Sequence, residues 1–140
     1  MMTLQQLYAE TEKDMKDDLM TTNSKIPYLY DKYLKLLITQ KLELTRKKQE
    51  YNKLYKDKHE YYTGKKSPQT YKEKPFDIKV LKGDLPIYLN ADDDLAKMNE
   101  GIEYQKAKIE FLEQTLKNIS NKSFACKNYI EWEKLQNGIT

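Results

Sequence analysis

Residues 92–119 read DDDLAKMNEGIEYQKAKIEFLEQTLKNI, and this stretch decides the fold. Leu95, Met98, Ile102, Gln105, Ile109, Leu112, Leu116 and Ile119 recur at alternating spacings of three and four. That is one face of an α-helix, sustained over more than three heptads. Asp92, Asp93 and Asp94 stand at its start, where the helix dipole favours negative charge. Asn90 or Asp92 is the expected cap. The register weakens through Ser123, Cys126 and Ile130. Asn118–Asn121 is therefore the candidate break before a second helix carrying Phe124, Tyr129, Trp132 and Leu135, with Gly138 as its stop. Such a stripe packs against another helix of the same chain or forms a seam between copies. Its narrowness, and the single polar Gln105 resembling a register-setting residue, favour the seam between copies.

Working outward, Pro27 to Tyr62 holds neither Gly nor a further Pro and is expected to be one long helix. Tyr30, Leu37, Leu44 and Tyr51 fall seven apart, while Lys41 and Lys48 interrupt the neighbouring seam of Leu34, Tyr55 and Tyr62. The helix thus begins apolar and becomes basic, which predicts a face released from the core. A first helix is expected over Thr3–Leu19, opened by a Thr3/Gln6 capping box. Thr21–Ser24 reads as a break, with Asn23 or Ser24 capping the long helix and Pro27 in its first turn. Thr63–Thr70 has the composition of a flexible loop. Asp77–Leu81 and Pro86–Leu89 read as two short strands about a Lys82-Gly83-Asp84 turn. The expected fold is mainly α: a long basic helix, then C-terminal heptad-patterned helices forming a homo-oligomer, with a short β-hairpin between. The expected division is a DNA-binding region over 1–90, with a flexible basic loop, and an oligomerisation region over 91–140.

Composition narrows the function. Of 140 residues, 39% are hydrophobic and 34% charged, a lean supply for a self-sufficient core, so part of that core is expected from other copies. The net charge of +3 conceals segregation. Residues 1–24 sum to −3, 25–64 to +5, 65–82 to +4 and 83–140 to −3. A basic middle between acidic ends suits a polyanion partner. Cys126 is the only cysteine, which excludes an internal disulfide and fits a reducing compartment. No apolar run approaches a membrane span, and Met1-Met2-Thr3-Leu4 carries no signal-peptide pattern. The host cytoplasm is the expected location.

Catalysis finds no support. His59 is the only histidine, so a two-His metal site is impossible. The four glycines, at 64, 83, 101 and 138, form no phosphate loop. Cys126 falls on the apolar register, as a small buried hydrophobe does. No enzyme activity, metal or cofactor is expected. Binding finds more. Lys35, Lys41, Arg46, Lys47, Lys48, Lys53, Lys56, Lys58, Lys65 and Lys66 are interleaved by only four acids, Glu43, Glu50, Asp57 and Glu60. Tyr51, Tyr55, His59 and Tyr62 recur among them at helical spacing. Lysines neutralise phosphates and release counterions, and aromatic faces stack on unpaired bases without needing a sequence. Solvated lysines with tyrosines packed on a neighbouring helix fit the same pattern. The candidate nucleic-acid contacts are Lys41, Arg46, Lys47, Lys48, Tyr51, Lys53, Tyr55, Lys56, Lys58, Tyr62, Lys65 and Lys66.

Several stretches, in order, resemble the UvsY recombination mediators of T-even-like phages. Lys56-Asp57-Lys58-His59-Glu60-Tyr61-Tyr62-Thr63-Gly64 is similar to the family's base-x-base-x-acid-Tyr-Tyr-Ser/Thr-Gly run at the end of a long basic helix. Ile119 to Lys127 resembles its Ile-x-x-x-x-Phe-Ala-x-Lys, and Leu89-Asn90-Ala91-Asp92 its Leu-Ser-Ala-Asp. Leu4, Leu7, Lys13 and Asp14 fit its opening helix. Residues 65–86 follow it less closely, and His59 stands where an aliphatic is expected. The resemblance implies a homo-oligomeric ring, a hexamer or heptamer, assembled through C-terminal helices. It implies binding of single-stranded DNA, displacement of the phage single-strand-binding protein, and loading of a RecA-like recombinase. It assigns Lys56 and Lys58 to DNA contact and the stripe from Leu95 to Ile119 to oligomerisation. The alternatives from other classes are a structural coiled-coil or assembly-scaffold protein with a solvated basic helix, and an adaptor for an acidic protein surface.

Overall fold

The structure is a computed structural model that describes residues 1–16 and 19–138, with side chains described outside 17–23. Its elements in chain order are α1 (Leu4–Asp14), α2 (Leu19–Tyr62), α3 (Pro68–Glu73), α4 (Leu85–Asn90) and α5 (Asp93–Gln136). No strand occurs among the described residues. The chain forms two compact units, one from Met1–Leu42 with Gln105–Thr140, the other from Glu43–Tyr104.

Local signals explain most helix ends. Thr3 and Gln6 form the expected capping box: the Gln6 amide donates to Thr3 Oγ1 at 3.2 Å, and the Thr3 amide donates to Gln6 Oε1 at 2.9 Å. α1 ends at Asp14, earlier than the expected Leu19; residues 17 and 18 lie outside those described. Asp92 caps α5, accepting the Leu95 amide at 3.0 Å, with Asp93 and Asp94 in the first turn. Gly64, at φ +76°, closes α2: its amide donates to the Tyr61 carbonyl at 3.3 Å, and Lys65's to that of Glu60 at 2.9 Å. This is a Schellman closure, which needs the left-handed conformation that only glycine adopts without strain.

Four expectations are corrected. Residues 86–89 are not a strand but lie in α4, and 77–81 carry no regular structure. An apolar run of that length cannot separate strand from helix by periodicity. Pro86 tips it to helix, since its fixed φ and missing donor suit a first turn. The second half of the expected 63–70 loop opens α3, because Ser67 caps the Thr70 amide and Pro68 fills the first position. No break occurs at residues 21–24: α2 is already helical at Leu19, and Pro27 lies inside it. Packing of Leu29, Tyr33 and Leu37 outweighs the donor lost at Pro27. Nor does α5 break at Asn118–Asn121; it runs unbroken to Gln136, where Gly138 at φ +71° ends it.

In the first unit the α5 stripe packs inside the chain. Gln105, Ile109, Leu112, Leu116 and Ile119 are buried together with Leu7, Leu29, Tyr33, Leu37 and Gln40. Gln105 meets a partner in its own chain: its Nε2 donates to Gln40 Oε1 at 2.7 Å and to the Gln40 carbonyl at 2.9 Å. α1 is tied to α2 by Lys32, 2.5 Å from Glu10 and 2.6 Å from Asp14, while the Tyr33 hydroxyl donates to Asp14 at 2.8 Å. Burial alone would raise the Asp14 carboxyl; the hydrogen bonds from Lys32 and Tyr33 outweigh it and hold the group below its ordinary value. In the second unit Leu89, Leu95 and Ile102 are buried and Met98 is half-buried.

Candidate nucleic-acid interface

The basic part of α2 sorts its charges by helical position. Glu43, Glu50 and Asp57 fall seven apart and so share one strip, and nearby bases fold onto them. Arg46 bridges Glu43 and Glu50. Lys66 reaches back to Asp57 and lies 3.4 Å from Glu60. Lys58 is held more tightly still: its Nζ lies 2.8 Å from Asp94 and 3.2 Å from Asp92, and its side chain is 17% exposed. Asp92 also accepts the Tyr62 hydroxyl at 2.7 Å. Burial would lower the Lys58 ammonium, but its bonds to Asp94 and then Asp92 raise it above its ordinary value. Burial, followed by the bond to Asp92, pushes the Tyr62 phenol up to about 12. Burial would raise Asp92; the bonds from Tyr62, the Leu95 amide and Lys58 lower it instead.

The remaining bases are placed differently. Lys48, Lys53, Lys56 and Lys65 are exposed and Lys47 is half-buried. None of these five has a carboxylate within ion-pair distance among the described residues. Lys53 and Lys56, three apart, are neighbours on one helical face. Tyr55, 42% exposed, lies one residue from Lys56, and its ring sits 6.2 Å from that of half-buried Tyr51. Lys41 belongs to the first unit, where it is exposed and 3.7 Å from Glu113.

The twelve candidates therefore separate. Lys48, Lys53, Tyr55, Lys56 and Lys65 are exposed, half-buried Lys47 has no carboxylate partner among the described residues, and Lys41, Arg46, Tyr51, Lys58, Tyr62 and Lys66 are engaged with neighbours. Lys56 and Lys58, paired by the family resemblance, differ in kind: one is exposed with no carboxylate within ion-pair distance among the described residues, the other is clamped by two.

The structure adds residues that the periodicity of α2 does not reach. Tyr61, Tyr62, Tyr71, Phe76 and Tyr88 form a ring cluster, with Tyr61 and Tyr71 stacked at 5.5 Å and Tyr62 and Phe76 edge-on at 5.1 Å. The Tyr61 hydroxyl donates to the Lys74 carbonyl at 3.0 Å, and the Tyr71 hydroxyl donates to that of Tyr61 at 2.7 Å. These bonds fold the basic 71–82 segment onto the end of α2, with Lys72, Lys74, Lys79 and Lys82 exposed. Only the charge of 65–82 announced this region; Tyr71 and Phe76 sit in no repeating pattern. Chemically, the surface can neutralise phosphates and offer rings to bases. Among the described residues no group of His, Cys, Asp and Glu gathers as a metal site, and no helix is long and apolar enough to cross a membrane.

Residues 8–139 match the family described as "Recombination, repair and ssDNA binding protein UvsY". The chain is also similar to crystal structures of the recombination mediator protein UvsY of bacteriophage T4. In one lattice the TM-score is 0.85 at 23% identity, over 98% of this chain and 99% of that one. In a second it is 0.81 at 22% identity, over 96% and 99%. At such identity the likeness speaks for the fold: all-α, over the whole length. No curated protein sequence matches.

Proposed function

The chain belongs to the UvsY family of recombination and repair proteins, and from that premise we propose that it is a phage recombination mediator that grips single-stranded DNA and helps load a RecA-like recombinase in place of the single-strand-binding protein. The family supports the mediator role. The observation that carries strand binding is the set of exposed α2 lysines, Lys48, Lys53 and Lys56, without acidic partners among the described residues and beside exposed Tyr55. Cations without an internal carboxylate give up no protein contact when they meet a phosphate, so they contribute most to salt-sensitive binding.

Strand contact belongs to region 1–90 in this proposal and self-association to 91–140. The stripe of Leu95, Met98, Ile102, Gln105, Ile109, Leu112, Leu116 and Ile119 serves assembly by fixing α5 in its own chain. Phe124, Tyr129, Trp132 and Leu135, all exposed near the end of α5, are side chains left for another copy. A hexameric or heptameric ring would then present its lysines to one strand many times, and effective concentration would turn weak contacts into a firm grip.

The test is fluorescence anisotropy with oligo-dT and with duplex of equal length across a salt series, alongside native mass. The proposal expects oligomers, preference for the single strand, and steep weakening with salt. A monomer indifferent to oligo-dT at low salt would overturn it. The rival reading, a structural coiled-coil protein with a solvated basic face, draws on the internal pairing of Arg46, Lys58 and Lys66 and expects oligomers without strand binding.

A further inference from the structure

An open cleft of about 420 Å³ lies where the end of α2 meets the 71–80 segment, bordered by Tyr62, Gly64, Tyr71, Phe76, Ile78 and Lys79. Its size falls within the range of about 300–1,000 Å³ usual for small-ligand sites. Three features set it apart from a hydrophobic mini-core. First, Tyr71 borders the cleft, and its one ring partner among the described residues is Tyr61, stacked at 5.5 Å, which leaves a second Tyr71 face with no ring against it. Second, the Tyr71 hydroxyl is anchored on the Tyr61 carbonyl, so the ring is fixed before any ligand arrives. Third, Lys79 borders the cleft, and Lys65 follows Gly64, which borders it too; both lysines are exposed and without a carboxylate partner among the described residues. Gly64 adds no side chain to the rim, and Ile78, 57% exposed, is an apolar wall without cover of its own.

A fixed aromatic face, an apolar wall and flanking ammonium groups together suit a planar π-system attached to a polyanion. We propose that this cleft takes one unpaired nucleobase of a bound strand, stacked on Tyr71 beside Phe76 and Ile78, with Lys65 and Lys79 on the flanking phosphates. The site rests on the strand-binding reading above and deepens it, since it makes the grip depend on bases as well as charge. Stacking tolerates every base, because each has a π-face, so no sequence preference follows. It does discriminate against duplex, in which the bases are already paired and stacked.

The full-length protein is titrated with oligo-dT and with an abasic oligonucleotide of equal length and charge. The oligo-dT, carrying 5-iodouracil, is then irradiated and the cross-linked peptide identified by mass spectrometry. The cleft predicts about tenfold tighter binding of the strand with bases and cross-links on Tyr71 or Phe76. Ile78→Trp, at an exposed position, puts a bulky ring at the opening and should abolish most of that difference between the two strands. Equal binding of both strands, or cross-links confined to other residues, overturns the cleft while strand binding stands. Failure to bind either strand at low salt overturns strand binding itself, and the cleft with it.

Discussion

The two units are built on different principles. In the first, nine hydrophobic side chains are buried among the described residues, and its ion network of Lys32, Glu10, Asp14 and Tyr33 joins helices. In the second, only Leu89, Leu95 and Ile102 are buried among the described residues, and half-exposed rings and the Lys58–Asp92 pair take the place of an aliphatic core. The lesson is one of allocation. Side chains that bind cannot also be buried, so the unit that carries the exposed lysines holds its shape through ring edges, hydroxyls and one clamped cation. Such a unit has less buried apolar surface resisting local opening.

That comparison can be broken at its strongest point first. Leu112 is fully buried in the first unit. Leu112→Ala should cost about 2–5 kcal/mol by urea unfolding, from lost transfer energy and the cavity left behind. Under native conditions its binding of oligo-dT per folded molecule should not change; a parallel loss of binding would mean that the units are not separable in role.

Lys58→Ala probes the clamp of the second unit. Asp92 is 5% exposed there, and without its cation the variant should lose roughly 1–3 kcal/mol at pH 7. The sign with pH is fixed by Asp92, whose value is depressed in the folded state. Its contribution is complete above the unfolded carboxylate value near 4 and is lost as the pH falls through the lower folded value. Removing Lys58 takes away one of the groups that hold Asp92 low, while the bonds from Tyr62 and the Leu95 amide remain, so the acid-side decline should be somewhat shallower in the variant. An unchanged pH profile in urea titrations would show that Lys58 does not clamp Asp92.

Lys53→Ala with Lys56→Ala should do the opposite: weaken oligo-dT binding while stability stays within about 0.5 kcal/mol. The log–log salt slope should flatten by about 0.7 for each phosphate contact removed. Normal binding by this double variant would remove the exposed lysines from the interface. The smallest effect is expected from Asp94→Asn. Asp94 is 64% exposed, and its pairing with Lys58 competes with any phosphate for that ammonium. Stability should change by at most about 1 kcal/mol, as for exposed pairs, while strand affinity rises a few-fold by anisotropy. Weaker binding would show that Lys58 plays no part in strand contact.

Much of the fold is legible in the sequence because its signals are local. The Thr3/Gln6 box, the Asp92 cap, Gly64 and Gly138 each mark a helix end by chemistry within a few residues. The stripe from Leu95 to Ile119 correctly announces a helix, but it does not say whose side chains meet it; Gln40, the partner of Gln105, lies 65 residues away in sequence. Residues 86–89 are too short a run for period two and period 3.6 to differ, and the clue was Pro86. For the candidate site, net charge points to the basic stretch that ends α2. It cannot separate Lys56 from Lys58, because that difference is made by Asp92 and Asp94 at the start of another helix. The ring cluster was missed for the same reason: Tyr71 and Phe76 join Tyr61 and Tyr62 through a turn closed at Gly64, not through a repeat.

Cys126, the sole thiol, is 1% exposed near the end of α5. Alkylating reagents can reach its sulfur only after that stretch of helix lifts from its neighbours, so the rate of labelling is a clock for such lifting. Two folded copies likewise cannot be oxidised to a covalent pair through it, and any cross-linked species found on a non-reducing gel reports molecules that had first come open.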